Sequence, residues 1–333
     1  MLKTQTKNIY IYNTIKTMGK YLKLFETHDE YISYSEGEMI LPNVSYCEDK
    51  NEVHYNPWTW AEEYLTFVAK ENGTFTFTPQ GSNVISYSTD GGESWAEGNS
   101  VEVNNGDKVL WKGTMTPSSW NGIGAFSSTG NFDVQGNAMS LLYGDNFKGQ
   151  TRLTGKGYAF SQLFKNNTKV VSAEILSLPA TTLAKECYNG MFLGCTSLTT
   201  APELPATTLA DYCCYGMFQG CTSLTTAPEL PATTLVRHCY GSMFKGCTSL
   251  TTAPVLPATT LASSCYVNMF YGCTSLNYIK AMFTTKPSTN YTKDWVSGVA
   301  SSGTFVKNSA ATWTDTFGVN AIPTGWTVKT ANA

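Results

Sequence analysis

The sequence predicts an α+β protein. A small all-β N-terminal region, made of a β-hairpin module and a β-sandwich, is followed by a short solenoid of 26-residue repeats and a C-terminal cap. Three observations carry this expectation. CTSLTTAPELPATTLA at Cys195 to Ala210 returns at Cys221 to Val236 and at Cys247 to Ala262 with one change each. The pairs Met191-Phe192, Met217-Phe218, Met243-Phe244 and Met269-Phe270 then align at intervals of 26 without a gap. Ahead of them lie period-two apolar runs separated by Asn-Gly and Asp-Gly, the strongest short-range hairpin signal.

Taken in order, residues 1–17 are polar and differ in character from the rest of the chain. They read as a disordered extension, with Met18 as an alternative start. The basic N-terminus has no apolar h-region or small-residue cleavage site behind it, so no ordinary secretory signal is expected. Residues 18–57 form an attachment module whose end, LPNVSYCEDKNEVHYNP, reads as strand, turn at Glu48 to Asn51, strand. Forty residues bury little core, so this module is expected to dock on something larger. Residues 58–138 are the expected sandwich. LTFVAKENGTFTFT alternates around Glu71-Asn72-Gly73, VISYSTDGGESW around Asp90-Gly91-Gly92, and SVEVNNGDKVLW around Asn104 to Asp107.

Residues 139–182 read as a capping, degenerate repeat, marked by Leu163-Phe164, Asn166-Asn167 and Leu178-Pro179. Fixed periods of this length mean stacked arrays, and they occupy residues 183–278. Leu183, Ala184, Cys187, Tyr188, Met191, Phe192 and Cys195 fit one helical face, predicting a short helix per repeat. SLTTAPELP, broken by Pro202 and Pro205, predicts a short strand. Neither buries its apolar face alone, so stacking is obligatory and like residues form columns. Thr181-Thr182 and its three copies suit stacked hydroxyl hydrogen bonds. Residues 279–333, with a helical stretch around Asn290 to Val299, close the array.

Composition narrows the function. The chain is 14% charged with a net charge of −3, and its arginines are Arg152 and Arg237 alone, which excludes a basic nucleic-acid surface. No apolar run reaches membrane-spanning length. Eight of the ten cysteines recur with the repeat, leaving Cys47 and Cys214. Periodic cysteines in a stack read as small buried core residues rather than a disulfide or metal ladder, since Cys195 follows Cys187 by eight positions, unlike zinc spacing. The redox compartment stays open.

No cofactor, metal or catalytic site is expected. Ser88-Thr89-Asp90-Gly91-Gly92-Glu93-Ser94-Trp95 fits the Asp-box of sialidase-like propellers, but a single copy reads as a structural hairpin, and two arginines are too few to grip a sialoside. Glu62-Glu63 and the pair Glu203 with Glu229 read as solvated carboxylates. His28, His54 and His238 are scattered, and His238 beside Cys239 points away from it.

The positions the repeats leave uncopied form a stripe opposite the apolar face. It comprises Lys185, Glu186, Asn189 and Leu193; Asp211, Tyr212, Tyr215 and Gln219; Arg237, His238, Gly241 and Lys245; and Ser263, Ser264, Val267 and Tyr271. Such a stripe on a rigid array is what a recognition surface needs. Free drift at exposed positions would leave the same record.

Met191-Phe192…Gly194-Cys195-Thr196-Ser197-Leu198-Thr199 and its counterparts resemble the BspA-like leucine-rich repeats, over about Leu163 to Ile279. This repeat is longer than usual for that family and adds Pro202 to the strand. The resemblance implies a leucine-rich-repeat surface or adhesion protein rather than an enzyme. YLTFVAKENGTFTFT, STDGGESW, KVLWKG and NAMSLLYGDNFKG resemble a β module that precedes such repeats in gut Bacteroides-type bacteria and their phages. YLKLFETHDEYISY…LPNVSYCEDKNEVHYNP resembles a leader of phage and prophage structural proteins. Together these imply a virion-associated protein that binds a bacterial surface protein or glycan, with no nucleic-acid partner and with homo-oligomers open. The alternative is a bacterial cell-surface adhesin binding host or neighbouring cells. A glycoside hydrolase stands third.

Overall fold

The computed structural model describes residues 63–118 and 120–331, together with the backbone of 44–47 and 52–55. The chain divides into two compact units, Met1–Thr59 and Trp60–Ala333. In the first, β1 (Val44–Cys47) and β2 (Glu52–Tyr55) pair antiparallel, with Val44 opposite Tyr55 and Cys47 opposite Glu52. The expected extension at 1–17, the turn at Glu48 to Asn51 and the rest of the attachment module lie outside the described residues.

The second unit opens with eight strands in two sheets. These are β3 (Leu65–Ala69), β4 (Gly73–Pro79), β5 (Ser86–Ser88), β6 (Ala96–Glu97), β7 (Ser100–Val103), β8 (Lys108–Lys112), β9 (Gly124–Ser128) and β10 (Phe132–Asn137). One sheet runs β10-β3-β8-β5-β6 and the other β7-β4-β9. Of the three expected hairpins here, only the Asp90-Gly91-Gly92 turn joins paired strands, β5 and β6. Those at Glu71 to Gly73 and Asn104 to Asp107 are instead crossings from one sheet to the other.

Packing explains the crossings. Leu65, Phe67 and Ala69 leave β3 with one buried apolar face, which needs a facing layer. Crossing over brings Phe75 to 5.4 Å and Phe126 to 4.7 Å from Phe67, ring centre to ring centre. At the crossing end, Asn105 N–H donates to Asn72 Oδ1 at 2.9 Å and Asn131 N–H to Glu71 Oε2 at 3.1 Å. A Cβ on Gly73 would sit 2.7 Å from the Gly130 nitrogen, so glycine is what lets these turns interlock.

A leucine-rich-repeat solenoid with a strand and a helix in every repeat is not what forms from Leu183 onward. Among the described residues, α-helix is confined to two single turns, α1 (Ser140–Tyr143) and α2 (Thr289–Thr292), with one 3-10 turn at Gly144–Asn146, and the rest is built of sheet and turn. The apolar positions 183, 187, 191, 195 and 184, 188, 192 recur at four, a spacing that drifts about 40° per step around an α-helix. The backbone follows the period of four. Glu186, Gly190 and Gly194 have φ of 55°, 57° and 73°, in the left-handed region that no α-helix tolerates.

Hydrogen bonding accounts for every amide from Glu186 to Cys195. Cys187, Asn189, Met191, Leu193 and Cys195 donate three residues back within the turn. Glu186, Tyr188, Gly190, Phe192 and Gly194 donate across to Asp211, Cys213, Tyr215, Met217 and Gln219 of the next repeat. Five such bonds per junction, each worth about 1 kcal/mol net, tie one repeat to the next. The expected strand shrinks to isolated parallel bridges such as Ser172 to Thr200 and Thr200 to Thr226. Pro202 and Pro205 lack the N–H that a longer ladder requires.

Side chains stack in register. Phe164, Phe192, Phe218, Phe244 and Phe270 form a column with ring centres 5.1–5.9 Å apart and planes within 9°. Phe126 of β9 begins it and Trp295 ends it. Leu198, Leu224, Leu250 and Leu276 are wholly buried beside it. The nine described cysteines are buried free thiols, and burial pushes Cys265 and Cys273 up to about 12. Cys195, Cys221, Cys247 and Cys273 donate S–H to the carbonyls of Phe164, Phe192, Phe218 and Phe244 at 2.9–3.1 Å. Threonine hydroxyls mostly bond backbone rather than each other: Thr222 and Thr248 donate to the carbonyls of Thr196 and Thr222.

The array is sewn into the β layers at one end. β11 (Val170–Ser172) and β12 (Leu176–Ser177) pair in parallel with β10. Asn167 Nδ2 donates to the Phe126 carbonyl at 3.1 Å. At the other end, β13 (Tyr278–Ala281), β14 (Thr304–Asn308) and β15 (Thr327–Ala331) form a parallel sheet. Tyr278 faces Thr304, so the spacing of 26 outlasts the sequence pattern. Where a helical stretch was expected around Asn290 to Val299, one helical turn gives way to left-handed Asp294 and Gly298.

Candidate functional site

The turn run places the uncopied residues on its outer edge, and registers of 25 to 27 residues bring neighbours from adjacent repeats together. The clearest cluster spans the second and third repeats. Tyr212 and His238 stack face to face at 4.4 Å and 10°. Arg237 donates to Tyr212 Oη at 3.0 Å and lies 5.3 Å from its ring centre. Tyr215 packs edge-on beside both, 5.7 Å from Tyr212 and 6.0 Å from His238. Its ring lies over Gly241, where a Cβ would fall 2.8 Å from two ring carbons. Tyr215 Oη also meets Ser242 Oγ at 3.4 Å.

A second group sits one repeat earlier. Lys185 Nζ is 3.5 Å from Glu186 Oε1 and 5.8 Å from the Tyr158 ring. Asn189 Nδ2 donates to Glu186 Oε2 at 3.2 Å. Glu186 is only 7% exposed, so its carboxylate supports Lys185 and Asn189 rather than meeting solvent. In a third group, one repeat later, Lys245 lies 5.1 Å over Tyr271, which is 43% exposed. Asp211, Arg237 and Ser263 are exposed, and Leu193, Gln219 and Ser264 are half-buried. The stripe is thus three aromatic–cation groups in a row. Tyr158 and Ser242 were not expected in it. The period of four would have found Ser242, which takes the place of Gly190 and Gly216.

Electrostatics fix the state of the central group. Burial pushes His238 below the usual imidazole range and Arg237 pushes it further, against a smaller opposing pull from Asp211. The ring is therefore neutral at pH 7 and its Nδ1 has no hydrogen-bond partner among the described residues. Arg237 supplies the positive charge, and the tyrosines offer rings and hydroxyls. The group thus brings a cation, aromatic faces and hydroxyls together at one edge of the turn run.

Glu186, Tyr212, His238 and Ser264 occupy one column and all hold positive φ, 52° to 57°. The column of Gly194, Gly220, Gly246 and Gly272 holds φ of 73° to 76°. A side chain in the left-handed region costs about 1–2 kcal/mol relative to the ordinary basin. Stacking alone would favour glycine in both columns.

The other candidates are spent on structure. Asp90 accepts from the Ser94 hydroxyl at 2.5 Å, from Ser94 N–H at 3.0 Å and from Ser88 Oγ at 2.7 Å, bonds that hold its carboxyl well below the usual range. Trp95 Nε1 donates to the Gly92 carbonyl, and Lys112 sits 4.1 Å over the indole. Glu203 and Glu229 are exposed. Glu62 and His28 lie outside the described residues, and of His54 only the backbone is described. Among the described residues no group of three His, Cys, Asp or Glu could hold a metal ion, and no helix is long and apolar enough to cross a membrane. No protein-family model, curated protein or solved structure matches this chain.

Proposed function

We propose that this is a non-enzymatic recognition protein whose stripe, from Lys185 to Tyr271, binds a bacterial cell-surface protein or glycan. The observation that carries the reading is the left-handed column. Glu186, Tyr212, His238 and Ser264 keep side chains where the backbone favours glycine. Conformational outliers of this kind concentrate at sites of function. Drift alone gives no reason to retain them. The leader's resemblance to phage structural proteins supports display on a virion, with the repeats turned towards the host.

The test is binding of the full-length protein to a panel of gut bacterial cells, read by flow cytometry. Asp211→Lys, Arg237→Glu and Lys245→Glu together should abolish binding. All three side chains lie at the surface, so the unfolding free energy should move by less than about 1.5 kcal/mol in total. Unchanged binding to a strain that captures the wild type would end the proposal. So would turnover of sialosides or other surface glycans by the purified protein.

A further inference from the structure

The core carries a second aromatic column beside the phenylalanines, and this one is interrupted. Phe160 stacks on Tyr188 at 5.9 Å and 12°, and Tyr240 stacks on Tyr266 at 6.3 Å and 9°. Between the two pairs, the second repeat puts Cys214 where its neighbours have tyrosine. Cys214 is also one of the two cysteines that the repeat does not account for. A thiol is shorter than a phenol, and a small cavity lies where the ring is missing, bordered by Tyr188, Cys214 and Tyr240. Its other walls are apolar, Leu183, Leu204 and Leu209 among them.

Polar groups converge on this gap. Tyr188 is 1% exposed, and its Oη has no hydrogen-bond partner among the described residues. Burial pushes the Tyr188 and Tyr240 hydroxyls well above the usual phenol range, and neighbouring thiols, that of Cys214 among them, push both further. The two hydroxyls therefore lie within electrostatic reach of one sulfur. A hydrogen bond with the Cys213 thiol, together with burial, keeps Cys214 itself protonated. All three groups are thus neutral at pH 7.

We infer that the gap is a binding site for one structural water, held between the Tyr188 and Tyr240 hydroxyls and the Cys214 sulfur. Size and charge decide the ligand. The centre of a water-sized sphere has about 10 Å³ in which to move, the room that a single water takes. An organic molecule is too large for that space, and an ion would find no counter-charge there. A dry gap would leave the Tyr188 hydroxyl buried and unpaired, at the full cost of its desolvation. A water with three polar neighbours removes that cost, and it links the first repeat to the third where the ring is missing. The site does not rest on the stripe and would stand if the stripe bound nothing.

The test compares the full-length wild type with three variants. Oxygen-17 magnetic relaxation dispersion counts the waters that stay bound for longer than the protein takes to tumble. Cys214→Val adds a methyl group's bulk at the gap and should lose one such water, whereas Cys214→Ser should keep it. Tyr188→Phe puts the same question to stability. Removing a hydroxyl that is paired with water should lower the denaturant midpoint, while removing an unpaired one should raise it. The inference is overturned if folded Cys214→Val keeps the wild-type count of long-lived waters. It is equally overturned if the midpoint of Tyr188→Phe is unchanged or higher, and that variant decides alone should Cys214→Val fail to fold.

Discussion

Strain retained for function can be tested by moving glycine in opposite directions between neighbouring columns. Ser264 holds φ 52° in the uncopied column, and Gly246 holds φ 75° in the glycine column. Ser264→Gly removes a left-handed side chain, a relief of about 1–2 kcal/mol. The added freedom of glycine in the unfolded chain takes back about 0.4–1 kcal/mol. The net expectation is a stabilisation of about 0.5–1 kcal/mol. Gly246→Ala should do the reverse by a similar amount, because space is not the obstacle: a Cβ there finds nothing nearer than the Gly220 Cα at 3.8 Å.

For a unit of this size each change should move the melting temperature by about 1–2 °C, upward for Ser264→Gly and downward for Gly246→Ala. Scanning calorimetry at a fixed scan rate, with denaturant midpoints as a check, reads both. If Ser264→Gly lowers stability, the left-handed column carries no strain and its side chains are not retained against any cost. If both substitutions raise it, the glycine column is not what the stack requires.

Phe218 lies wholly buried between Phe192 and Phe244, at 5.6 and 5.8 Å, so Phe218→Ala should cost about 3–5 kcal/mol in denaturant unfolding; a loss below about 1 kcal/mol would mean the column is not packed as described. His238 is held below the 6.5 of a free imidazole, so the unfolded chain binds the extra proton more readily than the folded one. Stability should be full above pH 6.5 and fall as the pH drops towards the folded value, with Arg237 adding to the effect and Asp211 opposing it. His238→Gln should flatten the slope, and an unchanged slope would show that His238 does not titrate differently on folding.

The repeat length and the residues of the core columns were legible in the sequence; the local conformation was not. The helical template i, i+3, i+4, i+7, i+8 and a strict period of four share Leu183, Ala184, Cys187, Tyr188 and Met191. The two separate only as steps accumulate towards Phe192 and Cys195. Gly190 and Gly194 held the discriminating signal, because glycine four residues apart costs a helix about 1 kcal/mol at each position. It costs a left-handed turn nothing. Asn-Gly and Asn-Asn-Gly at 72 and 104 signalled a reversal of the chain, yet a reversal does not name the strand's partner. Sheet membership was decided by Phe67, Phe75 and Phe126 meeting across the layers, a contact between distant parts of the chain. Beyond Leu276 identity was lost while spacing was kept: Trp295 takes over from Phe270, and its Nε1 finds the Ala321 carbonyl at 2.8 Å.

The stack also bears on how a specific surface is specified. Each of these contacts on the stripe joins two repeats: Lys185 over Tyr158, Arg237 and the neutral His238 ring against Tyr212, and Lys245 over Tyr271. None of these is a property of one repeat. The backbone bonds between repeats come from positions whose geometry is the same in every copy, whatever side chain they carry. Exchanging the order of two repeats would therefore leave the ladder and the phenylalanine column in register while re-pairing every group on the stripe. Near-identity of the copied segments is the condition for that independence. A residue such as Gly241 shows its limit, since the ring of Tyr215 lies where a side chain at 241 would be. Which side chains meet on the stripe depends on which repeats adjoin, and the copied segments keep the backbone junctions between them equivalent.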